Sequence, residues 1–145
     1  LGDGLRPVRE LLRFRAGTNL TVLPDSLTVG EALEQAWPDQ SSSAIRHAGA
    51  IILADSNGRL SGIFTDGDLR RLILKQDNPL QTPIKEVMTS DPRHLLENDR
   101  LNDARQMVAE FRIDEIPVVD DNGQPVGLID IQDLMTLRVT GDSMS

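Results

Sequence analysis

The feature that most constrains the fold of this chain is an internal repeat. Residues 50–73 align with residues 115–137 at a constant offset of 65 positions. Identical residues recur at four places in this alignment: Asp55/Asp120, Asn57-Gly58/Asn122-Gly123, Gly62/Gly127 and Asp68-Leu69/Asp133-Leu134. Two shorter matches precede them in the same order, PVRELL (7–12) with PIKEVM (83–88), and LTVGEAL (27–33) with residues near 100–105. The chain therefore consists of two copies of one unit.

Each copy predicts the same series of secondary-structure elements. Apolar residues recur with helical spacing in both copies: Val29, Ala32, Leu33 and Ala36 in the first, and Leu101, Ala104, Val108 and Phe111 in the second. A short apolar strand follows each helix, then an Asn-Gly pair that accepts positive φ at both turn positions, a returning strand and a closing helix. The unit is thus strand–helix–strand–strand–helix, of roughly 55 to 60 residues. One unit alone buries little apolar surface, so we predict an α/β (α+β) fold in which the two units stack.

Composition and charge exclude several classes of function. The chain has 15 Lys and Arg against 23 Asp and Glu, a formal charge of −8. Such acidity opposes binding to nucleic acid or to anionic membranes, because basic side chains dominate those affinities. The sequence has no run of 18 apolar residues, and its opening LGDGLRPVREL does not have the layout of a secretory signal. It contains no Cys, which fits the cytoplasm. We expect a cytoplasmic protein that binds neither nucleic acid nor membrane.

The stretch GIFTDGDLRR (62–71) concentrates polar residues where a predicted strand gives way to a helix. Asp68 falls in the first helical turn, where one carboxylate can accept hydrogen bonds from both hydroxyls of a ribose. Thr65 stands at or next to the N-cap, and Gly67 leaves the backbone open to close approach. However, Thr and Asp at a helix start also serve simply as caps. The residues alone leave a ligand site and a helix cap as alternatives.

The second copy departs from the first at this stretch. It keeps Gly127 and Asp133, but Asp130 stands where the first copy has Thr65. A second carboxylate there would repel a phosphate and has no hydroxyl to donate, so we expect a weaker or differently specific site. Five basic residues could contact a phosphate, although each is more simply explained as solvated surface. They are Arg46, His47, Arg70, Arg71 and Arg112.

The repeated unit, most clearly IPVVDDNGQPVGLIDIQDL, resembles a CBS domain, and two in tandem resemble a Bateman module. The resemblance runs from about residue 7 to about residue 137. GIFTDGDLRR is similar to the first CBS domain of the KpsF/GutQ-type arabinose 5-phosphate isomerases, in which a sugar isomerase (SIS) domain precedes the CBS pair. The opening LGDGL resembles the end of that SIS domain. The resemblance implies two CBS units related by a pseudo-twofold axis, with residues 1–17 as linker, 18–78 as the first domain and 79–145 as the second.

The resemblance also implies an adenosine-type ligand site. The family motif of glycine, two apolar residues, Thr or Ser, two free positions and Asp is met in full by residues 62–68. Family ligands also rest against the start of the first hairpin strand. The implied ligand-binding residues are Thr65, Asp66, Gly67, Asp68, Ala50, Ile51 and Ile52 in the first copy, and Ile116 and Asp133 in the second. An AMP- or ATP-type nucleotide is the expected effector, and CMP-Kdo is the alternative suggested by the pathway.

The function implied is regulatory. The fragment would sense a ligand and form a homodimer as part of an isomerase whose SIS domain interconverts ribulose 5-phosphate and arabinose 5-phosphate. We identify no catalytic residue in the chain, and its two His lack partners at metal-ligand spacing. Two rival interpretations remain: a purely structural CBS pair that holds an oligomer together, and a free-standing CBS protein that regulates an unrelated partner.

Overall fold

The computed structural model describes residues 3–36, 49–132 and 134, so Arg46, His47 and Asp133 lie outside the described residues. The strands are β1 (Phe14–Arg15), β2 (Thr21–Pro24), β3 (Ala50–Ala54), β4 (Leu60–Thr65), β5 (Thr89–Ser90), β6 (Leu95–Leu96), β7 (Glu115–Val119) and β8 (Pro125–Asp130). The α-helices are α1 (Val29–Ala36), α2 (Asp66–Lys75), α3 (Ile84–Val87) and α4 (Leu101–Phe111). Short 3₁₀ helices occupy Asp3–Leu5, Val8–Glu10 and Pro79–Gln81.

The strands form two four-stranded sheets of matching design, with the orders β2-β3-β4-β5 and β6-β7-β8-β1. In each sheet a parallel pair, β2 with β3 or β6 with β7, is connected through a helix, α1 or α4. A hairpin then adds the antiparallel neighbour, β4 or β8. This arrangement confirms the predicted α/β fold of two like units.

The segment that precedes each copy packs against the other copy. Strand β1 pairs with β8 of the second copy, and β5 pairs with β4 of the first. The side chains follow the strands: Val8 and Leu12 lie in the core of the second copy around Ile116, whereas Ile84 lies in the core of the first around Ile51. The two copies thus exchange the segments that precede them, which we call the lead-in segments.

The recurring glycines Gly62 and Gly127 make room for these exchanged segments. A Cβ at Gly127 would lie 2.8 Å from the carbonyl oxygen of Phe14 and 2.6 Å from Leu12 Cδ1. A Cβ at Gly62 would overlap the side chain of Met88, which follows α3. The repeat conserves glycine at this position because a lead-in crosses each hairpin there.

The two hairpin turns differ from the expected type. Gly58 and Gly123 have φ of +80° and +82°, as expected. Their partners Asn57 and Asn122 do not have positive φ, because Asp91 and Arg112 are the described non-glycine residues that do. Instead, Asp55 organises the first turn: its Oδ1 accepts hydrogen bonds from the N–H groups of Asn57 (2.8 Å) and Arg59 (3.1 Å). The second turn repeats these bonds around its own Asp. The pairing shifts register just before each turn, a bulge that accommodates the longer loop.

The helices are amphipathic, with one exception to the expected apolar stripes. Helix α1 buries Val29, Ala32 and Ala36, and α4 buries Leu101 and Ala104. Phe111, predicted to lie on the same stripe, is 37% exposed at the end of α4. Within the described residues, no helix has the length and apolarity needed to cross a membrane.

Candidate functional site

A cavity of about 850 Å³ opens between the two copies. The first copy lines it with the end of β4 and the start of α2, and the second with the end of α4 and the start of β7. Residues 89–93, which connect the copies, supply a third side. A molecule bound in this cavity would contact both copies at once.

Thr65 and Asp68 join the end of β4 to the start of α2. The Thr65 hydroxyl accepts a hydrogen bond from the Asp68 N–H at 3.2 Å, and Asp68 Oδ2 accepts from the Thr65 N–H at 2.9 Å. The Thr65 hydroxyl also lies 3.1 Å from the same carboxylate oxygen. This is a capping box, which satisfies backbone donors that the helix start leaves free. Both residues also line the cavity, so their role as a helix cap does not exclude contact with a ligand.

The second oxygen of Asp68 faces Arg71. Asp68 Oδ1 forms a salt bridge of 2.5 Å with the Arg71 guanidinium, whose side chain is 63% exposed. The Asp68 side chain is only 12% exposed, so the pair is partly buried. A carboxylate oxygen can accept more than one hydrogen bond, so Asp68 Oδ1 can accept one from a ligand hydroxyl while Arg71 stays paired with it.

The remaining predicted residues divide into two groups. Asp66 and Gly67 line the cavity beside Thr65 and Asp68. By contrast, four predicted residues are buried in β3 and β7 and are not among the described residues that line the cavity. They are Ala50, Ile51, Ile52 and Ile116. In each case the residue that precedes this buried run, Gly49 or Glu115, lines the cavity instead.

The second copy gives its side of the cavity a concentrated negative charge. Glu115 on β7 lies directly opposite Asp130 on β8, and like charges at such positions destabilise a sheet. Burial raises the pKa of Glu115 to about 7, with further contributions from Asp130, Asp114, Asp66 and Asp68. Glu115 Oε2 is buried and has no hydrogen-bond partner among the described residues.

Several cavity residues were not predicted from the sequence. The Arg93 guanidinium lies 3.4 Å from the centroid of the Phe111 ring, and both residues line the cavity. Phe111 occupies the last turn of α4, just before Arg112 leaves the helix with φ of +53°. Glu115 could have been found by the repeat itself, because at the offset of 65 it aligns with Ala50, the neutral first residue of β3.

Comparison with known proteins identifies the family. The sequence model of the CBS domain matches residues 8–75 and 84–139. The chain is 37% identical over 124 residues to the CBS domain-containing protein CBSCBSPB5 of Arabidopsis thaliana, covering 85% of this chain and 21% of that protein. It is 38% identical over 85 residues to the arabinose 5-phosphate isomerase GutQ of Escherichia coli K12, covering 59% of this chain and 26% of the isomerase. The chain thus spans about a fifth to a quarter of the length of these relatives.

Solved structures of CBS pairs have the same fold. The CBS-domain protein ATU1752 of Agrobacterium tumefaciens superposes with a TM-score of 0.70 at 26% identity, over 95% of this chain and 97% of that one. PAE2072 of Pyrobaculum aerophilum, complexed with AMP, gives 0.69 at 22% identity over 88% of each chain. The CBS pair of MJ0100, in complex with 5′-methylthioadenosine and S-adenosylmethionine, gives 0.73 at 19% identity, over 94% of this chain and 98% of that one. The chain is a member of the CBS domain family and carries two copies of that domain in tandem.

Proposed function

We propose that this CBS pair is a regulatory module that binds an adenosine-type ligand in the cavity between its copies. The observation that carries the proposal is the Thr65–Asp68 pair, which meets the family's ligand motif and opens onto a cavity of about 850 Å³. Solved CBS pairs of the same fold hold AMP, or 5′-methylthioadenosine with S-adenosylmethionine, which supports this class of ligand.

The ligand would occupy the first side of the cavity as follows. The ribose hydroxyls donate to Asp68 Oδ1 beside its pair with Arg71, and the Thr65 hydroxyl and the backbone at Asp66 and Gly67 border the ribose. The base rests against the start of β3, where Gly49 lines the cavity just before the buried Ala50, Ile51 and Ile52.

Binding would act by shifting a population. Because both copies line the cavity, a bound ligand favours one relative placement of the copies, and only this difference in affinity can be passed to another domain. The GutQ similarity supports an arabinose 5-phosphate isomerase as the parent protein. In that case a SIS domain carries the isomerisation, the CBS pairs form a homodimer, and AMP, ATP and CMP-Kdo are candidate effectors to be tested.

Titration calorimetry with AMP, ATP, S-adenosylmethionine and CMP-Kdo tests the proposal. Asp68→Ala should weaken binding at least about tenfold, since it removes the charged acceptor of the ribose. The same change also removes a helix cap, which costs about 1 kcal/mol of stability. Asp103→Ala is the matched control, because Asp103 accepts a hydrogen bond from the N–H of Arg100 at the start of α4 (2.8 Å) and does not line the cavity.

The control separates the two roles of Asp68. The proposal expects both variants to lose similar stability and only Asp68→Ala to lose affinity. Equal affinity losses in both variants, or no binding of any of the four compounds to the wild-type chain, would overturn it.

A second candidate function is oligomerisation without a ligand. It is favoured by two apolar residues near the end of α2, Ile73 and Leu74, which are 55% and 81% exposed. Light scattering should then show a dimer that Leu74→Glu dissociates, while calorimetry shows no heat with any nucleotide. A monomeric wild-type chain would exclude this candidate.

A further inference from the structure

The two sides of the cavity carry different charge at structurally matching positions. In the first sheet Ala50 lies opposite Thr65, and in the second Glu115 lies opposite Asp130. These positions correspond at the repeat offset of 65. The first pair is neutral, whereas the second consists of two carboxylates.

The cavity is acidic as a whole. Its described lining includes six acidic residues, Asp66, Asp68, Asp91, Asp114, Glu115 and Asp130, and two arginines, Arg71 and Arg93. The arginines already have contacts within the chain: Arg71 pairs with Asp68, and Arg93 lies over the Phe111 ring. A phosphate that entered the second side would meet carboxylates.

Glu115 gives this charge a specific position. Its Oε2 is buried without a hydrogen-bond partner among the described residues, and such an atom carries the full cost of its desolvation. An N–H or O–H donor, or a positive charge, would satisfy it. A phosphate would add repulsion, which is large where water is partly excluded.

We infer that Glu115 selects the ligand by charge, so that the cavity accepts an adenosine derivative whose substituent is neutral or cationic and discriminates against one bearing a phosphate. The inference deepens the proposed function and rests on it. Glu115 acts as a specificity-determining residue, with Asp130 reinforcing it from the neighbouring strand.

Three ligands that differ only at the 5′ position test this inference: adenosine, 5′-amino-5′-deoxyadenosine and AMP. Calorimetry at pH 8 and low ionic strength should show the amine binding most tightly and AMP most weakly. A unit charge about 8 Å away in a partly solvated site changes affinity about fivefold. Glu115→Gln should therefore reduce the adenosine-to-AMP affinity ratio by about fivefold, and Asp130→Thr, which restores the first copy's residue, should reduce it in the same direction.

Asp121→Asn is the control, because it removes one negative charge from the exposed turn at the opposite end of β7. It should leave the ratio unchanged. If AMP binds the wild-type chain at least as tightly as adenosine, or if Glu115→Gln leaves the ratio as it was, charge selection is wrong while the proposed function stands. If none of the three ligands binds, the proposed function itself fails, and this inference with it.

Discussion

Replacing Glu115 with Gln should stabilise the protein at neutral and alkaline pH. The carboxyl is partly buried on β7, opposite Asp130 and beside Asp114. Asp66 and Asp68 on α2 add to the negative potential, while Arg71 and Arg93 line the same cavity. Gln keeps the shape of the side chain but never ionises, so the variant avoids the cost of a charge at this position.

The magnitude follows from the pKa of Glu115, which rises from 4.5 to about 7 on folding. At ~1.4 kcal/mol for each pH unit between these values, full ionisation costs about 3 kcal/mol of folding free energy. Because the side chain is partly exposed, screening by water reduces this to about 1–2 kcal/mol. For a chain of this length the melting temperature should rise by about 3–8 °C.

The sign fixes the pH range of the effect. The folded protein holds the Glu115 proton more tightly than the unfolded chain, so this contribution to stability is fully present below pH 4.5 and is lost as the pH rises through about 7. Wild type and Glu115→Gln should therefore unfold at nearly the same urea concentration at pH 4. Their difference should grow up to pH 7 and stay constant above it.

Urea unfolding at four pH values, followed by circular dichroism, measures this difference. Asp121→Asn serves as the charge-matched control and should stay within about 0.5 kcal/mol of wild type throughout, as surface substitutions usually do. A Glu115→Gln variant that is no more stable than wild type at pH 8, or a stability gain that does not depend on pH, would refute the reasoning.

Three further predictions concern the framework around the cavity. Gly127→Ala should destabilise the protein by about 1–3 kcal/mol, because its new methyl would lie 2.8 Å from the carbonyl oxygen of Phe14. Gly62→Ala should cost less, because its methyl meets the side chain of Met88, which can move; the reverse order in urea unfolding would contradict this. Leu12→Ala should cost about 2–4 kcal/mol of stability and speed amide exchange in β8 more than in β3, since Leu12 packs in the core of the second copy. Leu74→Ala, at an exposed position, should have little effect, and a larger effect of Leu12→Ala on β3 would show that Leu12 supports the first copy instead. Asp55→Ala should lose about 1 kcal/mol with the two hydrogen bonds that its Oδ1 accepts, and equal stability of Asp55→Ala and Ser56→Ala would show that the turn does not depend on them.

Much of the fold could be predicted because the repeat compares the chain with itself. The aligned Asp, Asn-Gly and Gly residues correspond to one hairpin seen twice, and the stretch GIFTDGDLRR does form a cavity wall where β4 meets α2. The residues alone left a cap and a ligand site open, and the family motif could be matched on this wall because Thr65 and Asp68 are three residues apart at one helix start.

The exchange of lead-ins could not be predicted, because β1 and β5 contain only two residues each and carry no readable alternation. Phe111 was misplaced for a related reason. Helical spacing assigns it to the buried stripe of α4. However, the helix ends at this residue, so no further helical turn covers its side chain. The role of Glu115 depends on facing Asp130 across a sheet and the α2 carboxylates across a cavity, relations that no local pattern contains.

The exchanged lead-ins also determine how a mechanical load would travel through this protein. Residues 14 and 15 form β1, which pairs with β8 of the copy farther along the sequence. A pull on the N-terminus would therefore reach the second sheet before the first. Tension or reorientation at that end would bear on the strand that carries Asp130, at the acidic wall of the cavity. The shortest mechanical path from the N-terminus to the cavity bypasses the copy that follows it in the sequence.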